Sequence, residues 1–165
     1  MNDESTPEAV AWAAKLEGMR RGVGLRLDRE GRWWQGDEPF THGGLVDALN
    51  RGIRLHPETG EPIVYIGDKW CYFESAEVPF IVHSIRYQET ALWAELNTGE
   101  RLVVPRDGFV SRGDRVFITF GDGRTARLDR KTQGRLADAL SETDGRLALE
   151  FGGARWLIRQ AATST

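Results

Sequence analysis

The apolar and polar positions of the chain change period several times, and each change marks an element. Ala9, Trp12, Leu16 and Met19 recur at helical spacing and form one apolar stripe. Thr6-Pro7-Glu8 ahead of them reads as a helix start: Thr as N-cap, Pro at the first helical position, an acid in the first turn. Arg20 and Arg21 suit the C-terminal dipole, and Gly22 ends the helix. Residues 1–5 read as a frayed start. Next, LRLD and RWWQ flank Arg29-Glu30-Gly31, two extended runs around a Gly-containing turn, which predicts a β-hairpin. Thr41 is placed to N-cap a helix over residues 42–51, in which Leu45 and Leu49 share a face. Gly43 and Gly44 weaken its first turn. The polar loop HPETGEP then leads to a second hairpin, IVYIG and WCYFE about Asp68-Lys69.

Residues 79–105 read as an all-β joint. PFIVHSIRY is a strand, and ALWAELNTGERLVV is a hairpin turned by Asn97-Thr98-Gly99. VFITF and RTARL, around Gly121-Asp122-Gly123, form a hairpin with a strong Asp-Gly signal. A helix over residues 130–142 follows, with Leu136, Ala139 and Leu140 inward and Asp144-Gly145 as its end. LALEF and ARWLIR around Gly152-Gly153 make the last hairpin, and AATST is a loose tail.

Two segments thus share one order: hairpin, helix, hairpin. Their helices share letters, Leu45-Val46-Asp47-Ala48-Leu49 against Leu136-Ala137-Asp138-Ala139-Leu140, and the hairpins after them agree as well. The pattern predicts an α+β fold of two lobes from a duplicated ββαββ unit. Each lobe is a mostly antiparallel sheet with one helix, and an N-terminal helix is added. The expected division is residues 1–78, holding the N-terminal helix and first lobe, and residues 79–165, holding the central β segment and second lobe.

Particular motifs carry a resemblance. Glu30-Gly31-Arg32-Trp33-Trp34-Gln35-Gly36, the Leu45–Leu49 helix, Glu77-Val78-Pro79-Phe80-Ile81-Val82 and the turn Leu96-Asn97-Thr98-Gly99 resemble the domain-of-unknown-function family numbered 1285, a family of bacterial proteins. The likeness covers residues 25–105, and the last third only in its order of elements. It implies two α+β lobes built from a repeated motif, and a role in binding a ligand or partner, with signalling suggested and no activity established for the family. The chain departs from that pattern in HPETGEPIVYIGDKW, where family members carry a shorter run, so a family surface built there differs here.

Composition narrows the classes further. A chain of 165 residues is long enough for a real core. Its net charge of -3 argues against nucleic acid, which asks for a basic face. The cations are nearly all arginine, with Lys15, Lys69 and Lys131 the only lysines, a bias of GC-rich bacterial genomes. The single cysteine, Cys71, forbids an internal disulfide and a multi-Cys zinc site, and fits a cytoplasmic compartment. The acidic start lacks a signal-peptide pattern, and no apolar run is long enough for a membrane helix.

Candidate chemistry is sparse. Trp33 and Trp34 are neighbours on one strand, so they face opposite sides of its sheet; packing is the first reading for either, a ligand-contacting ring the second. Trp33, Trp34, Trp70, His83 and Arg86 are the expected walls of a ligand cleft where the strand over 80–87 meets the Trp-bearing hairpin. Arg86 offers a forked donor for a carboxylate or phosphate. Arg32 and His42, at the start of the first-lobe helix, mark an anion site, with a simple cap as the plainer reading of His42. His83, between Ile81 and Ile85, reads first as a hydrogen-bonded core residue. His42, His56 and His83 have no metal-ligand spacing, so neither a metal nor a cofactor is expected. Cys71 reads as a buried small hydrophobe, and Asp37-Glu38 as a solvated pair. No Gly-x-Ser-x-Gly elbow, P-loop or dinucleotide fingerprint occurs, and no catalytic residue is assigned. The leading expectation is a non-catalytic module that binds a small anionic or aromatic ligand or a protein partner, in signalling or regulation. The alternatives are a hydrolase or transferase with its site between the lobes, and a structural subunit. The last would bury an apolar patch, near Trp93 or on the N-terminal helix, against a second copy.

Overall fold

The computed structural model describes residues 6–161. The frayed start and the loose tail after Ala161 lie outside the described residues. The chain divides into two compact units, the first ending at Pro79 and the second beginning at Phe80.

The first unit opens with α1 (Pro7–Arg21), whose first turn is capped by the Thr6 hydroxyl accepting from the Ala9 N–H at 3.2 Å. The strands β1 (Leu25–Leu27), β2 (Trp33–Gln35) and β3 (Glu38–Pro39) form a meander. After α2 (Gly43–Arg51) a second meander follows: β4 (Ile53–Leu55), β5 (Pro62–Ile66) and β6 (Lys69–Ser75). The sheet order is β3-β2-β1-β6-β5-β4, with β1 and β6 parallel at its centre. The α2 cap is His42 and not Thr41: its backbone is extended, and its Nδ1 accepts from the Leu45 N–H at 3.2 Å. Of the two leucines expected to face the sheet, Leu49 is buried and Leu45 sits at the margin. Leu25, Leu27, Trp33, Leu49, Ile53, Val64 and Phe73 are the core of this unit.

The second unit holds β7 (Phe80–Gln88), β8 (Ala91–Leu96), β9 (Arg101–Val103), β10 (Phe109–Arg112), β11 (Arg115–Thr119), β12 (Thr125–Leu128), α3 (Arg130–Leu136), a 3-10 turn (Ala137–Ala139), β13 (Leu140–Thr143), β14 (Arg146–Phe151) and β15 (Ala154–Gln160). Six of these strands run β12-β11-β10-β15-β14-β13, with β10 and β15 parallel. That is the order of the first unit, strand for strand. The duplication is present, and each copy carries one more strand on either side of its helix than the expected ββαββ. The central segment is the extra part: β7 joins β12 in parallel and continues into β8 and β9. The nine-stranded sheet curls, so that the Trp156 Nε1 on β15 donates to the Val104 carbonyl beyond β9, and Tyr87 on β7 meets Phe151 and Trp156.

The second helix is shorter than the expected 130–142. Asp129 caps it, accepting from the Thr132 N–H at 2.8 Å, and the chain turns extended at Leu140. Leu140, expected inward, is therefore an exposed edge-strand residue. Asp144 and Gly145, at φ 54° and 76°, make the tight turn joining β13 to β14 rather than a helix end. The letter match between the helices is also displaced. Cap against cap, His42 corresponds to Asp129, which sets Leu49 against Leu136 and not against Leu140. The displacement is four residues, one helical turn, and a turn of slippage preserves the apolar face.

Candidate functional site

The hairpin register decides the tryptophan pair. Leu27 stands opposite Trp33, and Arg26 opposite Trp34. Trp33 turns inward and is 1% exposed; its Nε1 donates to Asn50 Oδ1 at 2.8 Å and its ring lies 4.8 Å from Phe73. A ring so enclosed shows no surface to a ligand, so Trp33 supports the site from behind. Trp34 turns outward and is half-buried. Its Nε1 donates to Asp28 Oδ2 at 2.8 Å, and the Arg26 guanidinium lies 4.7 Å over its ring. Asp28 also accepts from the Glu30 and Arg32 N–H groups, which ties the turn to the indole. Burial pushes the Asp28 carboxyl up, but the Trp34 and backbone hydrogen bonds outweigh it and hold its pKa low.

Pairing across β2, β1 and β6 carries this outer face onward. Arg26 is level with Glu74, and Tyr72 and Trp70 follow at the period of two along β6. Trp34 and Trp70 thus share one face of the sheet. Here α1 lies over β6 by polar contacts. Arg20 stacks 3.9 Å over Trp70, Arg21 stacks 4.0 Å over Tyr72, and Arg21 donates to both Glu61 oxygens at 2.9 and 3.0 Å. The Glu17 carboxylate, hydrogen-bonded to the Tyr72 phenol, pushes that phenol's pKa up. None of the α1 residues is buried, and of the expected stripe of Ala9, Trp12, Leu16 and Met19 only Leu16 is half-buried, while Trp12 and Met19 are 63% and 62% exposed. The two arginines read as dipole partners are therefore the helix's anchors. The double Arg near the end of the helix was the available signal.

His42 is occupied as the α2 cap, and Arg32 is exposed nearby in sequence. His83 and Arg86 belong to the second unit, on β7. A register shift between Val82 and Ser84 displaces His83 from the apolar alternation of Ile81, so it is half exposed and not a core residue. Its Nδ1 lies 3.1 Å from Asp129 Oδ2, the α3 cap. Burial pushes Asp129 up, but hydrogen bonds from Thr132 and then His83 prevail, and its pKa falls below the ordinary carboxylate range. Arg86 is exposed opposite Trp93 of β8, and Arg101 stacks 5.2 Å over the same ring.

Burial pushes the Cys71 thiol up, which keeps it protonated and a poor nucleophile. Among the described residues no group of His, Cys, Asp and Glu has a metal-holding arrangement, and no helix is long and apolar enough to cross a membrane.

No protein-family model and no curated protein matches the chain. Solved structures do. A DUF1285 family protein from Silicibacter pomeroyi DSS-3 superposes with a TM-score of 0.61 at 17% identity, over 83% of this chain and 79% of that one. A DUF1285 family protein from Shewanella baltica OS155 gives 0.55 at 12% identity, over 71% of this chain and 92% of the other. The motifs that resemble this family therefore stand on its architecture: the chain has the α+β fold of the DUF1285 proteins.

Proposed function

We propose that this protein is a bacterial, cytoplasmic member of the DUF1285 family and a non-catalytic binding module that takes a small anionic or aromatic ligand, or a protein partner, in a regulatory role. The observation that supports it is the outer face of the first sheet, where Trp34, Trp70 and Tyr72 each carry a stacked arginine. A ring beside a guanidinium offers both a stacking plate and a forked anion donor. Trp34 with Arg26 is the part of that face that α1 leaves accessible, and Arg86 beside Trp93 repeats the same chemistry in the second unit. His83, Arg32 and His42 are ancillary polar groups in this reading.

Native mass spectrometry of the protein purified gently from its host tests the proposal. Retained mass from a small molecule or a second protein is expected, and Trp34→Ala with Arg26→Ala should release it. A bare chain, or retention unchanged in the double variant, overturns the assignment to this face. Self-association is favoured by one separate observation, the exposed Trp12 and Met19 of α1. It predicts added mass in whole subunits.

A further inference from the structure

We infer that the second unit carries a binding site for a small amphipathic carboxylate, in the wedge where β14 and β15 part. The ladder between those strands ends at Ala148 and Leu157. Beyond that pair β15 continues along β10, with Val110 opposite Arg159 and Ser111 opposite Gln160. β14 keeps only β13, with Glu142 opposite Leu147 and Thr143 opposite Arg146. The opening between them has a volume of about 320 Å³ and is lined chiefly by Ser111, Arg146, Leu147, Leu157, Ile158 and Arg159. That lies within the range of small-ligand pockets. Leu147 and Leu157 expose apolar surface there. Neither Arg146 nor Arg159 has an ion-pair partner among the described residues.

The first unit shows what such a wedge accepts. Its β5 and β6 part at the equivalent pair, Ile63 and Tyr72, and β6 then follows β1. Counting outward from the matched pairs sets Glu61 against Arg146, Glu74 against Arg159 and Tyr72 against Leu157. Into the first wedge α1 sends Arg21, whose guanidinium lies over Tyr72 and pairs with both Glu61 oxygens. In the second wedge acids are replaced by arginines, and no ion pair among the described residues supplies their counter-charge. The charge at the matched positions is therefore inverted: the first wedge holds the Arg21 guanidinium against the Glu61 carboxylate, and the second is built to hold a carboxylate between guanidiniums. Two forked donors across a narrow opening suit a bidentate anion. The leucines and Ile158 select a carboxylate with an apolar body. This site is separate from the aromatic face of the first unit and does not rest on its reading.

Titration of the full chain with hexanoate, followed by amide NMR shifts, tests the inference, with hexanamide as the neutral comparator. Saturable shifts at residues 111, 145–147 and 157–160 are expected, with hexanamide weaker by about tenfold or more, the effect of losing a charged hydrogen bond. Arg146→Gln and Arg159→Gln, both at exposed positions, should each weaken hexanoate by about tenfold. Equal binding of hexanoate and hexanamide, shifts confined to other residues, no shift up to the solubility limit, or full affinity in the double variant would each overturn it. The hexanamide comparison decides even if a variant fails to fold.

Discussion

The two adjacent tryptophans should differ sharply in what they cost to remove. Trp33 is enclosed against Phe73 and satisfies Asn50 Oδ1, whereas Trp34 is half-buried under Arg26. Trp33→Ala leaves a cavity the size of an indole in a small core, a loss of about 3–5 kcal/mol. It also strands the Asn50 amide oxygen. Trp34→Ala removes a partly solvated ring and one hydrogen bond, a loss of about 1 kcal/mol. With an m-value of about 1.5 kcal/mol/M in urea, those losses move the midpoint by about 2–3 M and by less than about 1 M. Trp33→Phe separates the two terms of the larger loss, because it keeps most of the ring and deletes the donor, at about 1–3 kcal/mol. Urea denaturation followed by far-UV circular dichroism gives the midpoints. Hydrogen exchange assigns the change, since residues through Pro79 should lose protection while those from Phe80 keep theirs. Equal midpoint shifts for the two alanine variants would refute the register that turns Trp33 inward. Protection lost first in the second unit would refute the placement of its ring in the first core.

Other consequences are as direct. Gly52→Ala should destabilise the first unit by roughly 1–3 kcal/mol or more, because an added Cβ meets the Tyr65 carbonyl, a backbone group that cannot swing away; thermal melting measures it, and an unchanged midpoint would contradict the close approach. Asp129 has a lowered folded pKa, so its contribution is present above the unfolded value of about 3.9 and disappears as pH falls through the folded one. Asp129→Asn should therefore flatten the acid limb of stability against pH, and a variant with the wild-type slope would count against the Thr132 and His83 bonds. Arg21→Ala should loosen α1, seen as faster amide exchange over Pro7–Arg21 with little change in the sheet; unchanged exchange would mean that the Glu61 pair and Tyr72 stacking are not its anchors. Cys71 should react slowly with thiol reagents near pH 8, because burial keeps its thiol protonated, and fast labelling in the folded protein would contradict that burial.

What was legible in the sequence follows from which forces are local. Caps and turns are written in neighbouring letters, so Thr6 as N-cap, the Asn97-Thr98-Gly99 turn and the hairpins of β5 with β6 and of β14 with β15 read directly. The helix over 130–142 was overextended because its letters keep a helical apolar spacing past the point where the chain pairs. Leu140 is claimed by Leu149 across a ladder, and pairing is not local. The bulge at His83 is likewise invisible in alternation, and it reverses the burial expected for that ring. The outward orientation of Trp34 required the register with Arg26 to be known, and the pairing of Arg21 with Glu61 spans 40 residues.

The duplication makes the larger point about function. Two copies with one strand order keep the same parting of strands beside the central parallel pair, since β6 and β15 must each leave an antiparallel partner to meet a parallel one. That parting is a consequence of the topology and costs the fold an open wedge in each copy. The first copy closes its wedge with a helix that buries no residue and meets the sheet through guanidinium contacts and the Glu17 hydrogen bond to Tyr72. Contacts of that kind are set by a few charges and not by a packed core, so changing two acids to arginines is enough to change what the wedge accepts. Arg146 and Arg159 make that change in the second copy. A repeated fold can in this way keep its central parallel pairing, Leu25 opposite Phe73 in one copy and Phe109 opposite Ile158 in the other, while the two openings diverge in charge.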